Sequence, residues 1–587
     1  LNSDGGPSLI METFKSSYVS GRGKHPITLL WAETLLLSVS FAALLLIDIW
    51  HTVLQVRSPE CLYLIMRTPK NTLELAALLN LAVCTVVFLL VFWVLITRRQ
   101  RQYRAPLYLP ATIIGYLVFW RVEEFFIRSL CVALAKSAAL DFHSSKVSAI
   151  IPYALYVVAA IFIPSCGCLV CIWRPESAWK VVRNAALVLA PFAFFCAARA
   201  SWQAMFPPSI VSGARMPQGA PLAGSRKPLV LWLMFDELDD QAVFHRPAGE
   251  PPFTHLEALR STSIYAEHAC EPADTTLAAI PGYTIGRKVI RVRWNSADDL
   301  LLQLEGTAAY VPWAKQQTVF HDAAGAGRQI AILGTYHPYC RLFGHLTRAC
   351  EVPPQLVAVG IEGWWELLQT RSVLGAALLQ LDHALPIPAL TRRYDGKRFK
   401  FSELAAARHA EQEHVTALAS SFRFLFQMLA DPSIDFLFAH LLLPHPPALP
   451  DAFFKEINSN LRPGYTRDLH TVDTLVGEIR AALVATRRWD ETTVVVTSDH
   501  TVRPLWEETL LLSPSLYGAI GRLRERNVPL LIKLPHQREG IVYKEPFSAI
   551  IVHGIVQGLV QQKFERPEQV IAFIRRNAFS RPCPVAF

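Results

Sequence analysis

Two hydrophobic runs in this chain each stop on a pair of metal-type ligands. Val230–Phe235 (VLWLMF) runs into Asp236-Glu237, and Thr493–Thr497 (TVVVT) passes through Ser498 into Asp499-His500. Runs of this length, rich in β-branched and aromatic residues, predict strands buried on both faces, as in a parallel sheet. Ligands in open α/β sheets gather beyond the carboxyl ends of such strands. Taken singly, each pair reads equally as a polar turn after a strand, and Asp239-Asp240 shows that acids recur there. Taken together, they point to one shared site for a divalent ion. Carboxylate and imidazole donors suit zinc or manganese.

Between the two pairs lies Cys270–Arg287, CEPADTTLAAIPGYTIGR. A threonine hydroxyl is a poor nucleophile until a metal or a base takes up its proton, so a reactive Thr here needs the site just described. The structural alternative is that Thr275 and Thr276 cap a helix starting at Leu277. The two readings are compatible, because a helix amino terminus also favours an anionic phosphate.

These residues must be held by a layered domain. From Pro228 onward strand-like runs alternate with helical ones. Strands are expected at Leu229–Phe235, Gln329–Leu333, Phe436–His440, Thr493–Thr497 and Val528–Lys533, and helices at Phe401–Leu429, Asp468–Ala485 and Ala549–Leu559. The alternation predicts an α/β domain with a mostly parallel central sheet. Ser209–Lys227, rich in Pro, Gly, Ser and Ala, reads as a linker.

The first third is different. A hydrophobic content of 52% and a mean hydropathy of +0.27 over 587 residues point to a membrane protein. Five apolar stretches approach the ~20 residues that cross a bilayer. They are Leu29–Trp50, Leu73–Thr97, Leu107–Leu130, Ile150–Trp173 and Val181–Ala200, the third interrupted by Arg121, Glu123, Glu124 and Arg128. Arg121, Glu124 and Arg128 share one helical face, where charges pair within a bundle or hold a headgroup.

Lys15, Arg22 and Lys24, then Arg98, Arg99, Arg101 and Arg104, then Arg174, Lys180 and Arg183 fall on one side if the amino terminus is cytoplasmic. Everything after Ala200 is then outside. No cleavable signal peptide is expected, because a polar leader precedes the first span without a small-residue cleavage site. The expected organisation is a leader (1–28), a five-span membrane domain (29–200), a linker (201–227) and an extracytoplasmic catalytic domain (228–587).

The net charge of +9 is largely topology-setting loop charge, with some attraction to anionic lipid. No basic-aromatic stripe or nucleic-acid motif accompanies it, which argues against nucleic acid as a partner. Of eleven cysteines, Cys270, Cys340, Cys350 and Cys583 follow Ser201, and no CxxC pair among these four suggests a thiolate zinc site. Cys340 and Cys350 bracket a short loop that an oxidising setting allows to close as a disulfide.

The order of an acidic strand end, a Thr loop closing on Gly-Arg, a His-Pro segment and a Ser-Asp-His strand resembles the alkaline phosphatase superfamily. It is similar in particular to the membrane-anchored sulfatase-like branch that includes phosphoethanolamine transferases and lipoteichoic acid synthases. In that superfamily the nucleophile lies ten residues before the Gly that closes the loop, and counting back from Gly286 selects Thr276. True sulfatases carry a formylglycine precursor in C-x-P-S-R. Cys270-Glu271-Pro272 approaches that motif, but Asp274 replaces the Arg and Cys270 is out of register with Gly286.

The resemblance implies metal ligands at Asp236, Glu237, Asp499 and His500, with Thr501 where the family usually has Gly. It implies a phosphate or leaving-group contact at His445 in PHPP. His440, nearer the strand, reads as packing or as support for the ligands, and His536 as a loop residue able to reach the site edge.

The implied activity is transfer of a phosphoethanolamine-type or phosphoglycerol-type headgroup from a phospholipid donor to a glycan or lipid acceptor, through a phospho-threonine. The implied location is the bacterial cytoplasmic membrane, with the catalytic domain periplasmic or extracellular. The alternatives are a hydrolase, either a phosphodiesterase or a sulfatase, and, from another class, an inactive membrane scaffold or sensor.

Overall fold

The computed structural model describes residues 27–56, 58–64, 71–99, 173, 175–206, 227–246, 252–353, 372–384, 399–445, 465–502 and 526–578. The helices used below are α1 (Ile27–Leu45), α2 (Ile47–Val56), α3 (Pro59–Leu64), α4 (Thr72–Arg99), α5 (Pro175–Met205) and α6 (Thr276–Ile285). They continue with α7 (Val373–Ala384), α8 (Phe399–Ala430), α9 (Tyr465–Ala485), α10 (Val552–Val560) and α11 (Pro567–Ala578).

The chain divides into two compact units that interleave along the sequence. One comprises Leu1–Gln55, Lys70–Pro207 and Glu366–Tyr394, and the other Val56–Pro69, Pro208–Trp365 and Asp395–Phe587. The expected single boundary at residues 201–227 therefore misses two exchanges: α3 belongs with the second unit, and α7 with the first.

In the first unit, Thr72–Val94 and Arg183–Met205 are long and apolar enough to cross a membrane. Trp31–Leu45 and Ile47–Gln55 make a third if the 64° bend between them lies within one span. These correspond to the first, second and fifth expected spans. Leu107–Leu130 and nearly all of Ile150–Trp173 lie outside the described residues. Phe41 packs edge-on against Phe92 at 5.4 Å between ring centroids. Asn80 Nδ2 donates to Ala377 O and Gln380 Oε1 at 2.9 and 3.0 Å, tying α7 to α4 through a polar group that an apolar surrounding leaves few alternatives. Arg183 pairs with Glu33.

The second unit is built on an eight-stranded mixed sheet. The strands are β1 (Val230–Asp236), β2 (Ile264–Ala266), β3 (Ala269–Cys270), β4 (Val289–Ser296), β5 (Asp299–Leu304), β6 (Tyr310–Pro312), β7 (Ile330–Leu333) and β8 (Ala349–Glu351). They continue with β9 (Phe436–Pro444), β10 (Thr493–Ser498), β11 (Leu530–Lys533), β12 (Ile541–Tyr543) and β13 (Phe547–Ser548). The main sheet runs β12-β2-β11-β10-β1-β9-β7-β8.

Its centre, β10-β1-β9-β7, is parallel, while β11 is antiparallel to both β10 and β2. The antiparallel β11 makes the sheet mixed where a mostly parallel one was expected. A separate three-stranded sheet, β4-β5-β6, and the pair β13-β3 were not anticipated from the sequence.

Both faces of the main sheet are covered, as the continuous apolar runs require. The period of two along β1 sorts its residues between two cores. Val230, Trp232 and Met234 join one core with α6, α10 and α11, and Leu231, Leu233 and Phe235 join the other with α8 and α9. The Cys340–Cys350 disulfide is present, with Cα atoms 5.6 Å apart. Cys270 is also disulfide-bonded, which removes it as a nucleophile.

Candidate metal and nucleophile centre

The same alternation that sorts the cores assembles the site. On β1, the face of Val230, Trp232 and Met234 continues to Asp236. On β9 the face of Phe436 and Phe438 continues to His440, and on β10 that of Val495 continues through Thr497 to Asp499. Because β9, β1 and β10 are adjacent and parallel, three side chains meet at one face of their carboxyl ends. One ligand atom each from Asp236, His440 and Asp499 lies within 4.8 Å of the others, and all three residues are buried.

The donor chemistry fits a cation. The His440 Nδ1 lies 3.2 Å from the Thr335 carbonyl and 2.9 Å from the Tyr339 hydroxyl. A carbonyl only accepts, which assigns the proton to Nδ1 and leaves a lone pair on Nε2. Burial holds the imidazole neutral, its pKa pushed down to about 4. Nε2 has no hydrogen-bond partner among the described residues, and neither has Asp499 Oδ2. A lone pair held against buried carboxylates is costly unless a cation takes it up. Sequence reasoning had set His440 aside as packing or support; its parity on β9 places it in the cluster.

His500 joins from the next position along the chain. Its Nε2 is 3.4 Å from Asp499 Oδ2 and 3.8 Å from Asp236 Oδ1. Nδ1 lies 2.8 Å from the Thr501 carbonyl and therefore carries the proton, so Nε2 offers a lone pair to the centre. Burial opposes ionisation of Asp499. Its carboxyl is nevertheless held below the ordinary carboxylate range, with the Glu237 N–H among the donors to it.

Glu237 has φ +66°, a left-handed conformation uncommon outside glycine. Such strain persists where the surroundings over-determine it. Here Asp499 Oδ1 accepts from the Glu237 N–H at 3.2 Å, Ser498 Oγ accepts from the Leu238 N–H at 2.8 Å, and the Tyr465 hydroxyl donates to the Glu237 carbonyl at 2.6 Å. The fully buried Glu237 carboxylate faces the partly exposed His445, with Oε1 and Nε2 4.0 Å apart. Of the expected ligands, Asp236, Asp499 and His500 thus share one cluster, while Glu237 meets His445 beside it.

Thr276 is the first residue of α6 and is buried, and Thr275, in extended conformation before it, makes no side-chain cap. The Thr276 hydroxyl is not spent on capping. Its Oγ1 lies 3.3 Å from His500 Nε2. Ten residues later the helix ends on Gly286 in the left-handed region, φ +66°, so the spacing counted in the sequence is the length of one helix.

The replacement of the usual Gly by Thr501 has a local answer. Glu271 Oε2 accepts from both the Thr501 N–H and hydroxyl, at 2.7 and 2.8 Å, and Glu271 Oε1 pairs with Arg526 at 3.0 Å. Burial raises the Glu271 pKa against those bonds. His536 is not at the site. β11 runs antiparallel to β10, so its carboxyl end lies at the far edge, where the His536 N–H donates to Asp490 O.

Residues 421–538 match the Sulfatase family model. This stretch of the second unit is similar to the sulfatases. The matched stretch spans β9 to the end of β11, including His440, His445, Asp499 and His500, and leaves β1 and Thr276 outside it. The match agrees with the resemblance to the sulfatase-like branch of the alkaline phosphatase superfamily.

No curated protein matches the chain. Similar solved structures include i-CgsB in complex with k-i-k-neocarrahexaose (13% identity, 61% of this chain and 77% of that one, TM-score 0.37). They also include a phosphonate monoester hydrolase of Agrobacterium radiobacter (15%, 57% and 74%, TM-score 0.33). Another is the lipoteichoic acid synthase LtaP from Listeria monocytogenes (12%, 60% and 76%, TM-score 0.34).

Proposed function

We propose that this chain is a membrane-bound, metal-dependent transferase that moves a phosphoethanolamine-type or phosphoglycerol-type headgroup from a phospholipid to a glycan or lipid acceptor through Thr276. The observation that carries the reading is the Thr276 hydroxyl at 3.3 Å from His500, beside the Asp236–His440–Asp499 cluster. Asp236, His440, Asp499 and His500 would hold a zinc or manganese ion, with Glu237 adjacent. When bound, the ion would lower the proton affinity of the threonine hydroxyl and offset charge on a phosphoryl oxygen.

In the first half-reaction Thr276 Oγ1 forms a bond to phosphorus and the bond from phosphorus to the diacylglycerol oxygen breaks. The hydroxyl proton leaves toward the imidazole and carboxylate acceptors facing it. His445, at the partly exposed edge beside Glu237, donates a proton to the departing oxygen or steadies the phosphate. In the second half-reaction an acceptor hydroxyl attacks phosphorus, the bond to Thr276 breaks, and the threonine regains a proton. The apolar helices of the first unit support a membrane location, and a catalytic unit on the outer side would meet lipid donors there.

The test is incubation of the purified protein with headgroup-labelled phosphatidylethanolamine, followed by mapping of the label. Label on Thr276 that chases to an added acceptor is expected. Headgroup release to water alone would support the hydrolase reading. Label absent from Thr276, with headgroup still released, would refute the threonine route.

A further inference from the structure

The segment between the first two apolar helices reaches the nucleophile. In sequence α3 lies between α2 and α4, yet it folds within the catalytic unit. Tyr63 and Leu64 are buried in the same core as Tyr283, Trp313 and Tyr339. Arg341 donates from Nη2 to Tyr63 O at 2.6 Å and from Nη1 to Leu62 O at 3.3 Å, fastening the segment by its backbone. The Tyr63 ring sits 5.4 Å from Trp294.

From there a single line of hydrogen bonds runs to Thr276. The Tyr63 hydroxyl is 2.8 Å from His337 Nδ1, and His337 Nε2 is 3.1 Å from the Thr276 carbonyl. The directions are fixed by elementary chemistry. A carbonyl only accepts, so Nε2 carries the proton, and a neutral imidazole must then accept at Nδ1 from the tyrosine. Burial keeps His337 neutral, its pKa pushed down to about 3. Trp313 packs edge-on at 5.0 Å and limits rotation of the ring.

The hold is applied at the first residue of α6, next to a gap in the helix's own bonding: Pro281 has no N–H to give to the Leu277 carbonyl, one position after the carbonyl that His337 holds. We infer that Tyr63, acting through His337, is a positioning residue for Thr276, supplied to the catalytic unit by the segment between the first two apolar helices. The consequence is a catalytic unit that is incomplete without residues of the amino-terminal part of the chain. The inference rests on Thr276 as nucleophile for its kinetic consequence, and on geometry alone for the relay.

The experiment uses the full chain with Tyr63→Phe, His337→Phe, His337→Gln and the Tyr63→Phe/His337→Phe double variant. The readouts are turnover of headgroup-labelled phosphatidylethanolamine, metal content, and amide hydrogen exchange at residues 277–280. Losing one buried hydrogen bond of this kind corresponds to roughly tenfold.

Tyr63→Phe is expected to lower kcat about tenfold, with KM and metal content unchanged and faster exchange at the start of α6. The double variant is expected to be no worse than His337→Phe. His337→Gln, whose amide can still donate to the Thr276 carbonyl, is expected to keep more turnover than His337→Phe. Unchanged kcat and unchanged α6 exchange in Tyr63→Phe, or fully additive losses in the double variant, would overturn the relay. Turnover that survives Thr276→Ala would sink the nucleophile reading instead, while the exchange readout would still judge the relay.

Discussion

Gly286 offers a perturbation whose size follows from the geometry. It ends α6 with φ +66° and ψ 26°, and its N–H donates to Gly282 O at 2.9 Å. An alanine there pays roughly 1–2 kcal/mol for the left-handed conformation. A Cβ would also stand 2.6 Å from Cδ2 and 2.7 Å from Cγ of His553, a ring on α10. Overpacking of that kind costs about 1–3 kcal/mol. Gly286→Ala is therefore expected to destabilise the catalytic unit by about 2–5 kcal/mol.

Urea denaturation in detergent, followed by tryptophan fluorescence, reads the change as a shift of midpoint. The two contributions separate in a double-mutant cycle. His553→Ala removes the two ring contacts but keeps the Cβ at 3.1 Å, so it should recover most of the steric part, giving a coupling of about 1–3 kcal/mol and leaving the conformational part. A cost below about 0.5 kcal/mol, the range of ordinary surface substitutions, would refute the claim that this glycine sets the end of α6. A cycle with no coupling would refute the contact with His553.

Two further outcomes follow from the site and its frame. His440→Leu is expected to weaken metal binding by about 100-fold or more, since removal of even an outer partner costs 10–100-fold, with the fold retained. Equilibrium dialysis against zinc and manganese with circular dichroism checks this, and unchanged affinity would return His440 to a packing role. Replacing Cys340 and Cys350 by serine opens a loop of sequence separation 10 and is expected to cost about 3 kcal/mol of stability, measured by the same urea titration.

What could be seen in the sequence depended on how locally it was encoded. β1 and β10 announced themselves because strands buried on both faces are apolar at every position, so the polar pairs that end them stand out. Thr276 was singled out only through the resemblance and its ten-residue count to Gly286, a span that is a single helix with a left-handed end. His440 was hidden for the same reason that β9 was visible. Inside FLFAHLLLP it reads as one more buried residue, and its place beside Asp236 and Asp499 emerges only when β9 is known to lie beside β1 in parallel.

His536 was misplaced because antiparallel pairing of β11 is a property of the sheet rather than of the run VPLLIKLP. The β4–β6 sheet escaped notice because much of β4 is exposed and its side chains are mixed. α3, only six residues long, has no periodicity to read, and its link to His337 spans 274 positions of sequence.

The central claim is that one metal ion and Thr276 meet at the carboxyl ends of β9, β1 and β10. Anomalous diffraction from crystals of the protein purified without chelator, recorded at the zinc and manganese edges, tests it most directly. The account predicts a single strong peak bounded by Asp236, His440 and Asp499, within reach of His500 Nε2 and the Thr276 hydroxyl. A peak elsewhere, or metal-free crystals of protein that still turns over phosphatidylethanolamine, would contradict it.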